Sequence, residues 1–170
     1  MSNFQHPTEK GKGVVSIATV DTDAPKYEIT AQYNPKELQV DLTVPWNPNP
    51  LANKSPEKGI QLEFTGAQGR SMSLELTFDG FETNESVATK VETLTRMASV
   101  KKAGSNDENM RRPYRCVVTW GKTVPNFRCV IESLSTKYTM FSDEGVPLRA
   151  TCTVKLKEAD VVSMAKTDGK

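Results

Sequence analysis

Ser71-Met72-Ser73-Leu74-Glu75-Leu76-Thr77-Phe78 alternates without a fault. Met72, Leu74, Leu76 and Phe78 hold the even positions, and Ser71, Ser73, Glu75 and Thr77 the odd ones. Successive side chains of a strand point to opposite faces, so this pattern predicts a strand with one face in a core and the other in water. Leu148, Ala150, Cys152, Val154 and Leu156 alternate in the same way with Arg149, Thr151, Thr153, Lys155 and Lys157. Cys116, Val118 and Trp120 alternate with Arg115, Val117 and Thr119, and Phe127, Cys129 and Ile131 continue less cleanly towards Leu134. Weaker strand patterns occupy Val14–Val20, Tyr27–Tyr33, Leu38–Val44 and Gln61–Thr65, which brings the expectation to about eight strands.

One segment has the helical period. Val87, Val91, Leu94 and Ala98 recur at steps of four, three and four, with Met97 on the same face. This predicts an amphipathic helix near Glu85–Ser99, capped by Thr83 or Asn84, with Glu85 in its first turn complementing the helix dipole. One helix among eight strands makes the chain mainly β (α+β), a closed or nearly closed sheet with the helix against one side.

Composition excludes several kinds of work. The 170 residues carry 22 Lys+Arg against 21 Asp+Glu, a formal charge of +1. That leaves no basic surplus of the sort that drives nucleic-acid affinity through counterion release, so no nucleic-acid specificity is expected. The chain has one histidine, His6, beside Pro7 in a polar start, which leaves little material for triads or zinc sites. Cys116, Cys129 and Cys152 are odd in number, lack CxxC spacing and sit in strand-like stretches, where a free thiol behaves as a small hydrophobe. They point to synthesis in a reducing cytoplasm. Met1–Lys10 lacks the apolar stretch of a signal peptide, and no run approaches the ~18–20 apolar residues that span a bilayer.

Two loops stand apart. Pro45–Gly59 (PWNPNPLANKSPEKG) holds four prolines and a tryptophan; prolines oppose strand pairing but stiffen an extended arm, lowering the entropy lost when it docks. Lys101–Pro113 (KKAGSNDENMRRP) is polar and flexible in composition, and its mixed charges suit a solvated or protein-docking surface. Asp21-Thr22-Asp23 opens like a calcium loop but lacks the glycine and closing glutamate, and reads as a turn. Gly66-Ala67-Gln68-Gly69 and Asp143-Glu144-Gly145 read as hairpin turns. Glu63, Glu75, Asp79 and Glu132 lie on or near strands; a carboxylate pair would need a cleft to become a hydrolase site. No catalytic residue, metal ligand or cofactor site is assigned.

The order of the segments resembles a known family. Tyr33-Asn34-Pro35 precedes a tryptophan-bearing loop, then Leu62-Glu63-Phe64-Thr65-Gly66 and Ser73-Leu74-Glu75-Leu76-Thr77-Phe78-Asp79. After the helix come Arg112-Pro113, Trp120-Gly121, Phe127 and Val130-Ile131-Glu132-Ser133-Leu134. Tyr138-Thr139-Met140-Phe141 and Asp143-Glu144-Gly145-Val146-Pro147-Leu148-Arg149-Ala150 close the series. From about Tyr27 to Glu158 this is similar to the tube-like proteins of contractile injection systems, the adaptors and tube initiators between spike hub and inner tube of phage-tail-like particles.

The resemblance implies a phage tail-tube-like β-barrel of two packed antiparallel sheets with one flanking α-helix. It also implies structural, non-enzymatic work: a six-fold ring joining the spike/hub of the baseplate to the inner tube and keeping the central channel continuous. Expected partners are further copies of the chain, the hub protein, the inner tube protein and, beyond them, baseplate or sheath proteins. The product would be incorporated into the particle, whether a virion or a released injection device. Adaptors of this type often continue into a peptidoglycan-binding LysM module; here the chain stops about a dozen residues after the last strand, so wall binding is not carried over.

The expected organisation is a flexible arm over 1–13, a tube-like domain over 14–158 and a tail over 159–170. A modest 36% hydrophobic content fits a core completed by neighbours. The candidate interface is the proline arm, with Pro45, Trp46, Asn47, Pro48, Pro50, Leu51, Lys54, Pro56 and Lys58 on it, and Trp46 as anchor or as packing for its own barrel. The alternative is a small β-barrel carrier with an apolar ligand inside.

Overall fold

The computed structural model describes residues 13–50, 59–66 and 68–161. The strands are β1 (Ser16–Thr19), β2 (Glu28–Thr30), β3 (Gln39–Asp41), β4 (Trp46–Pro48), β5 (Leu62–Phe64), β6 (Ser71–Asp79), β7 (Cys116–Trp120), β8 (Val124–Phe141) and β9 (Pro147–Glu158). The helix α1 is Ala88–Ala98. Among the described residues the fold is mainly β, as the alternation predicts, with two antiparallel sheets, as the resemblance implies, and one helix. The large sheet runs β2-β1-β7-β8-β9-β6-β3, and β4 and β5 form a separate pair. The expected terminal arms, with His6, fall almost wholly outside the described residues.

The long strand β8 organises the large sheet. Phe127–Leu134 and Tyr138–Phe141, read separately from sequence, are one strand of 18 residues. Its first part, Val124–Cys129, pairs with β7, and Cys129–Phe141 pairs with β9. The register shifts at Ile131/Ser133, Tyr138/Met140 and Met140/Phe141. Such bulges bend and twist a strand, so β8 carries the sheet from the β2-β1-β7 side to the β9-β6-β3 side.

Alternation sets the core. Met72, Leu74, Leu76 and Phe78 of β6 and Leu148, Ala150, Cys152, Val154 and Leu156 of β9 are buried, joined by Ile17, Cys116, Val118, Phe127, Cys129 and Ile131. The helix closes this face with Val87, Val91, Leu94 and Met97. All three thiols are free and buried, Cys116 directly opposite Cys129. Burial pushes both of these thiols up to about 12, so they are inert apolar filling.

The helix begins later than predicted. Val87, not Thr83 or Asn84, stands at its N-cap, and no side chain caps it. The preceding residues form a tight turn instead. Glu85 donates its N–H to the Gly80 carbonyl, Thr83 Oγ1 donates to the same oxygen, and Asn84 takes a positive φ of 53°. This turn drops Val87 into the core, where Val87 N–H donates to the Pro147 carbonyl at 3.0 Å. Gly80 is essential to it, because a β-carbon there would collide with the Glu85 carbonyl oxygen.

The turn after β8 matches its reading: Gly145 has φ 79°, and Ser142 N–H donates to the Val146 carbonyl. The 66–69 segment does not, because among the described residues β5 pairs with β4 and β6 with β3 and β9, not with each other. It is a connection between two sheets, with Ala67 outside the described residues. The expected consequence for Gly80→Ala is a loss of about 1–3 kcal/mol in chemical unfolding. Gly13→Ala, with open space around it, should leave the midpoint unchanged.

Candidate assembly interface

The predicted proline loop is in part a strand. Pro45, Trp46, Asn47, Pro48 and Pro50 are described; Leu51, Lys54, Pro56 and Lys58 lie outside the described residues. Trp46, Asn47 and Pro48 form β4, opposite Phe64, Glu63 and Leu62 of β5. The ladder extends through Thr65 N–H to the Pro45 carbonyl and Asn49 N–H to the Gln61 carbonyl, each 3.1 Å. Proline is tolerated because in a two-stranded pair every strand is an edge.

The register makes this hairpin amphipathic. Trp46, Pro48, Leu62 and Phe64 share one face by the period of two, and Asn47, Asn49, Gln61 and Glu63 share the other. On the polar face Asn49 Nδ2 donates to Glu63. On the apolar face the Trp46 and Phe64 rings lie 5.5 Å apart at 52°. Trp46 therefore packs on its hairpin partner, and it stays 53% exposed, with Phe64 at 54%. Leu42, Val44, Ile60 and Leu62 are exposed as well. Sequence reading singled out Trp46 but passed over Leu62 and Phe64; the signal was the apolar alternation of Leu62-Glu63-Phe64, whose partner lay hidden among prolines.

The polar loop 101–113 is ordered rather than loose. Lys101 and Lys102 donate their N–H groups to the Arg112 and Met110 carbonyls, around a single 3-10 turn at Glu108–Met110. Arg112 is turned inward to Asp21, which is 1% exposed. Arg112 Nη2 donates to Asp21 Oδ1 at 2.8 Å, the Arg115 amide donates to Oδ2 at 2.7 Å, and Arg115 Nε donates to Oδ1 at 3.1 Å. Lys101 Nζ lies 3.7 Å from Asp21 and 3.1 Å from Asp23. Asp21, followed by exposed Thr22 and Asp23, is therefore a buried acidic hub that ties the end of β1 to the 101–113 loop and β7. That correction removes Lys101 and Arg112 from any docking surface.

Burial alone would push the Asp21 carboxyl up, but hydrogen bonds from Arg112 and from the Arg115 amide outweigh it and hold it at about 2. Of the other carboxylates, Asp79 accepts from Arg149 Nε at 2.9 Å, and Glu63 is held by Asn49. Asp41 and Glu132 line one groove on the polar outer face with Ser71, Ser73, Ser133 and Lys155. They stand on β3 and β8, three strand spacings and about 14 Å apart along the sheet. Carboxylates that share a glycosidic bond sit roughly 5–9.5 Å apart.

Comparison with known proteins places the chain. A family model described as "Contractile injection system tube protein" matches residues 14–166. No curated protein matches. Among solved structures, a chain of the six-fold symmetrised cryo-EM structure of the anti-feeding prophage (AFP) baseplate is similar over 93% of this chain and 97% of that chain. The identity is 12% and the TM-score 0.35.

The Asp21 hub predicts an acid-sensitive fold. Its carboxyl titrates lower in the folded chain than the ordinary 3.8, so the stability it supplies is complete above about pH 4 and disappears as pH falls towards 2. Unfolding free energies measured across that window should lose about 2 kcal/mol more in the wild type than in Asp21→Asn. At pH 7, Asp21→Asn should cost about 3–5 kcal/mol, because buried Arg112 loses its counter-charge.

Proposed function

The chain belongs to the contractile injection system tube protein family and is a structural component of such a particle; from that premise we propose that it forms a six-fold ring joining the spike hub of the baseplate to the inner tube. In this reading the ring continues the central channel, and the chain offers one rim to the hub protein and the other to the tube protein. It is made in the cytoplasm and incorporated into the particle, where baseplate or sheath proteins are further neighbours. Its work is structural, and no step of it calls for a cofactor.

The observation that supports self-assembly is the uncovered apolar face of the β4–β5 hairpin. An isolated two-stranded hairpin is marginal in water. This one leaves Trp46, Leu62 and Phe64 each about half exposed. Burying an aromatic anchor of this type is where interface energy concentrates. A proline-stiffened strand loses little entropy on docking.

Light scattering and electron microscopy of the purified chain test this. Six-copy, six-fold rings are expected for the wild type. Trp46→Ser combined with Phe64→Ser should yield a folded monomer whose Tm moves by only a few degrees, since neither side chain belongs to the buried core. A wild type that stays monomeric at all concentrations, or rings that persist in the double variant, would contradict the reading.

A further inference from the structure

The core-facing side of the large sheet is left bare at its Asp79 end. Tyr138 stands opposite Ala150 of β9 and so shares the face on which Ala150 is buried, yet Tyr138 is 40% exposed. In a regular strand Tyr138 and Phe141 would point to opposite faces. The register shifts at Tyr138/Met140 and Met140/Phe141 turn Phe141 back, and the two rings lie 6.3 Å apart at 50°. Gly80 and Val87 donate their N–H groups to the Leu148 and Pro147 carbonyls, so the 81–86 turn stands against the same end of β9. It brings Phe81, which like Phe141 is 57% exposed and whose N–H donates to Asp79 Oδ1 at 3.0 Å. Carboxylates flank these rings: Glu82 and Glu85 on that turn, Asp143 and Glu144 on the turn after β8, all exposed. Among the described residues none of the four is in an ion pair. The cations of this end are engaged or turned away. Arg149 holds Asp79, Lys90 Nζ lies 5.5 Å from the centre of the Phe78 ring, and Lys137, opposite Thr151, is on the other face of the sheet.

We propose that this acidic–aromatic end docks an arginine- and lysine-rich segment of a different protein. The rings offer apolar area on which arginine guanidinium groups stack and lysine stems lie flat. The four carboxylates supply the opposite charge, which draws a cationic partner in and repels an acidic one. Sign decides against the chain's own far end as the occupant. At the Ser71 end Arg70 is taken by Glu158 at 2.7 Å, and Lys155 shares its groove with Asp41 and Glu132, so that end presents mixed charge rather than a basic surplus. The bulges of β8 and the bonds that fix the 81–86 turn hold the rings in place before anything binds, which lowers the entropy lost on docking.

This contact is with a different chain and is measured without reference to ring formation, so it stands or falls apart from the ring proposed above. The probe is a short fluorescein-labelled peptide that alternates arginine with leucine, carrying a benzophenone for photo-crosslinking; its control alternates glutamate with leucine. Fluorescence anisotropy with the full-length chain should show binding of the basic peptide, weakening as salt is raised, and none of the acidic one. On irradiation the basic peptide should mark residues within 81–87 or 138–147 of the wild type. Glu82→Lys with Glu144→Lys should weaken binding about tenfold, and so should Tyr138→Ser with Phe141→Ser. All four side chains are exposed, and circular dichroism should show the fold unchanged in both variants. Failure of the wild type to bind the basic peptide, equal binding of the acidic one, crosslinks confined to other regions, or undiminished binding in either folded variant would overturn the proposal. The crosslink position is read on the wild type and decides the matter even where a variant fails to fold.

Discussion

The double pairing of β9 is the constraint on which the rest of this structure depends. It matches β6 residue for residue from Ser71↔Lys157 to Asp79↔Arg149, while its other edge holds β8. Period two then fixes Ala150, Cys152, Val154 and Leu156 inward. A slip of one residue would exchange them for Arg149, Thr151, Thr153 and Lys155, burying two cations, so the register has no competitor. That register also decides where the exposed apolar residues go: the hairpin projects past the Ser71 end, and Tyr138 and Phe141 lie at the Asp79 end.

The sequence was legible where one local period decides the outcome. The alternations of β6 and β9 and the four-three-four spacing of Val87, Val91, Leu94 and Ala98 each described an element that buries its own apolar face. It was less legible where partners come from afar. Trp46-Asn47-Pro48 looked unpairable because proline opposes strand ladders, yet an edge position beside Leu62–Phe64 accepts it. The start of α1 was misjudged because Thr83 and Asn84 are good caps in isolation, while the Gly80 turn takes their hydrogen bonds and hands the first helical position to Ala88.

Charge was the hardest feature to read. Asp21 and Arg112 stand far apart in sequence, and each sits among polar neighbours that suggest solvent. Only the fold brings Asp21 against Arg112 and Arg115, with Lys101 alongside, turning two apparent surface loops into one buried anchor. Near-neutral net charge conceals such pairing, since it reports a sum and not an arrangement. With Lys101 and Arg112 occupied by Asp21, the 101–113 loop offers less free charge than its composition suggests.

The most direct test of this account is a cryo-EM map of the assembled particle at a resolution that traces side chains. The account predicts six copies per ring, with Trp46 and Phe64 of each copy buried against a neighbouring subunit. A map in which the β4–β5 hairpin stands free in solvent, or in which the chain occurs as single copies, would contradict it.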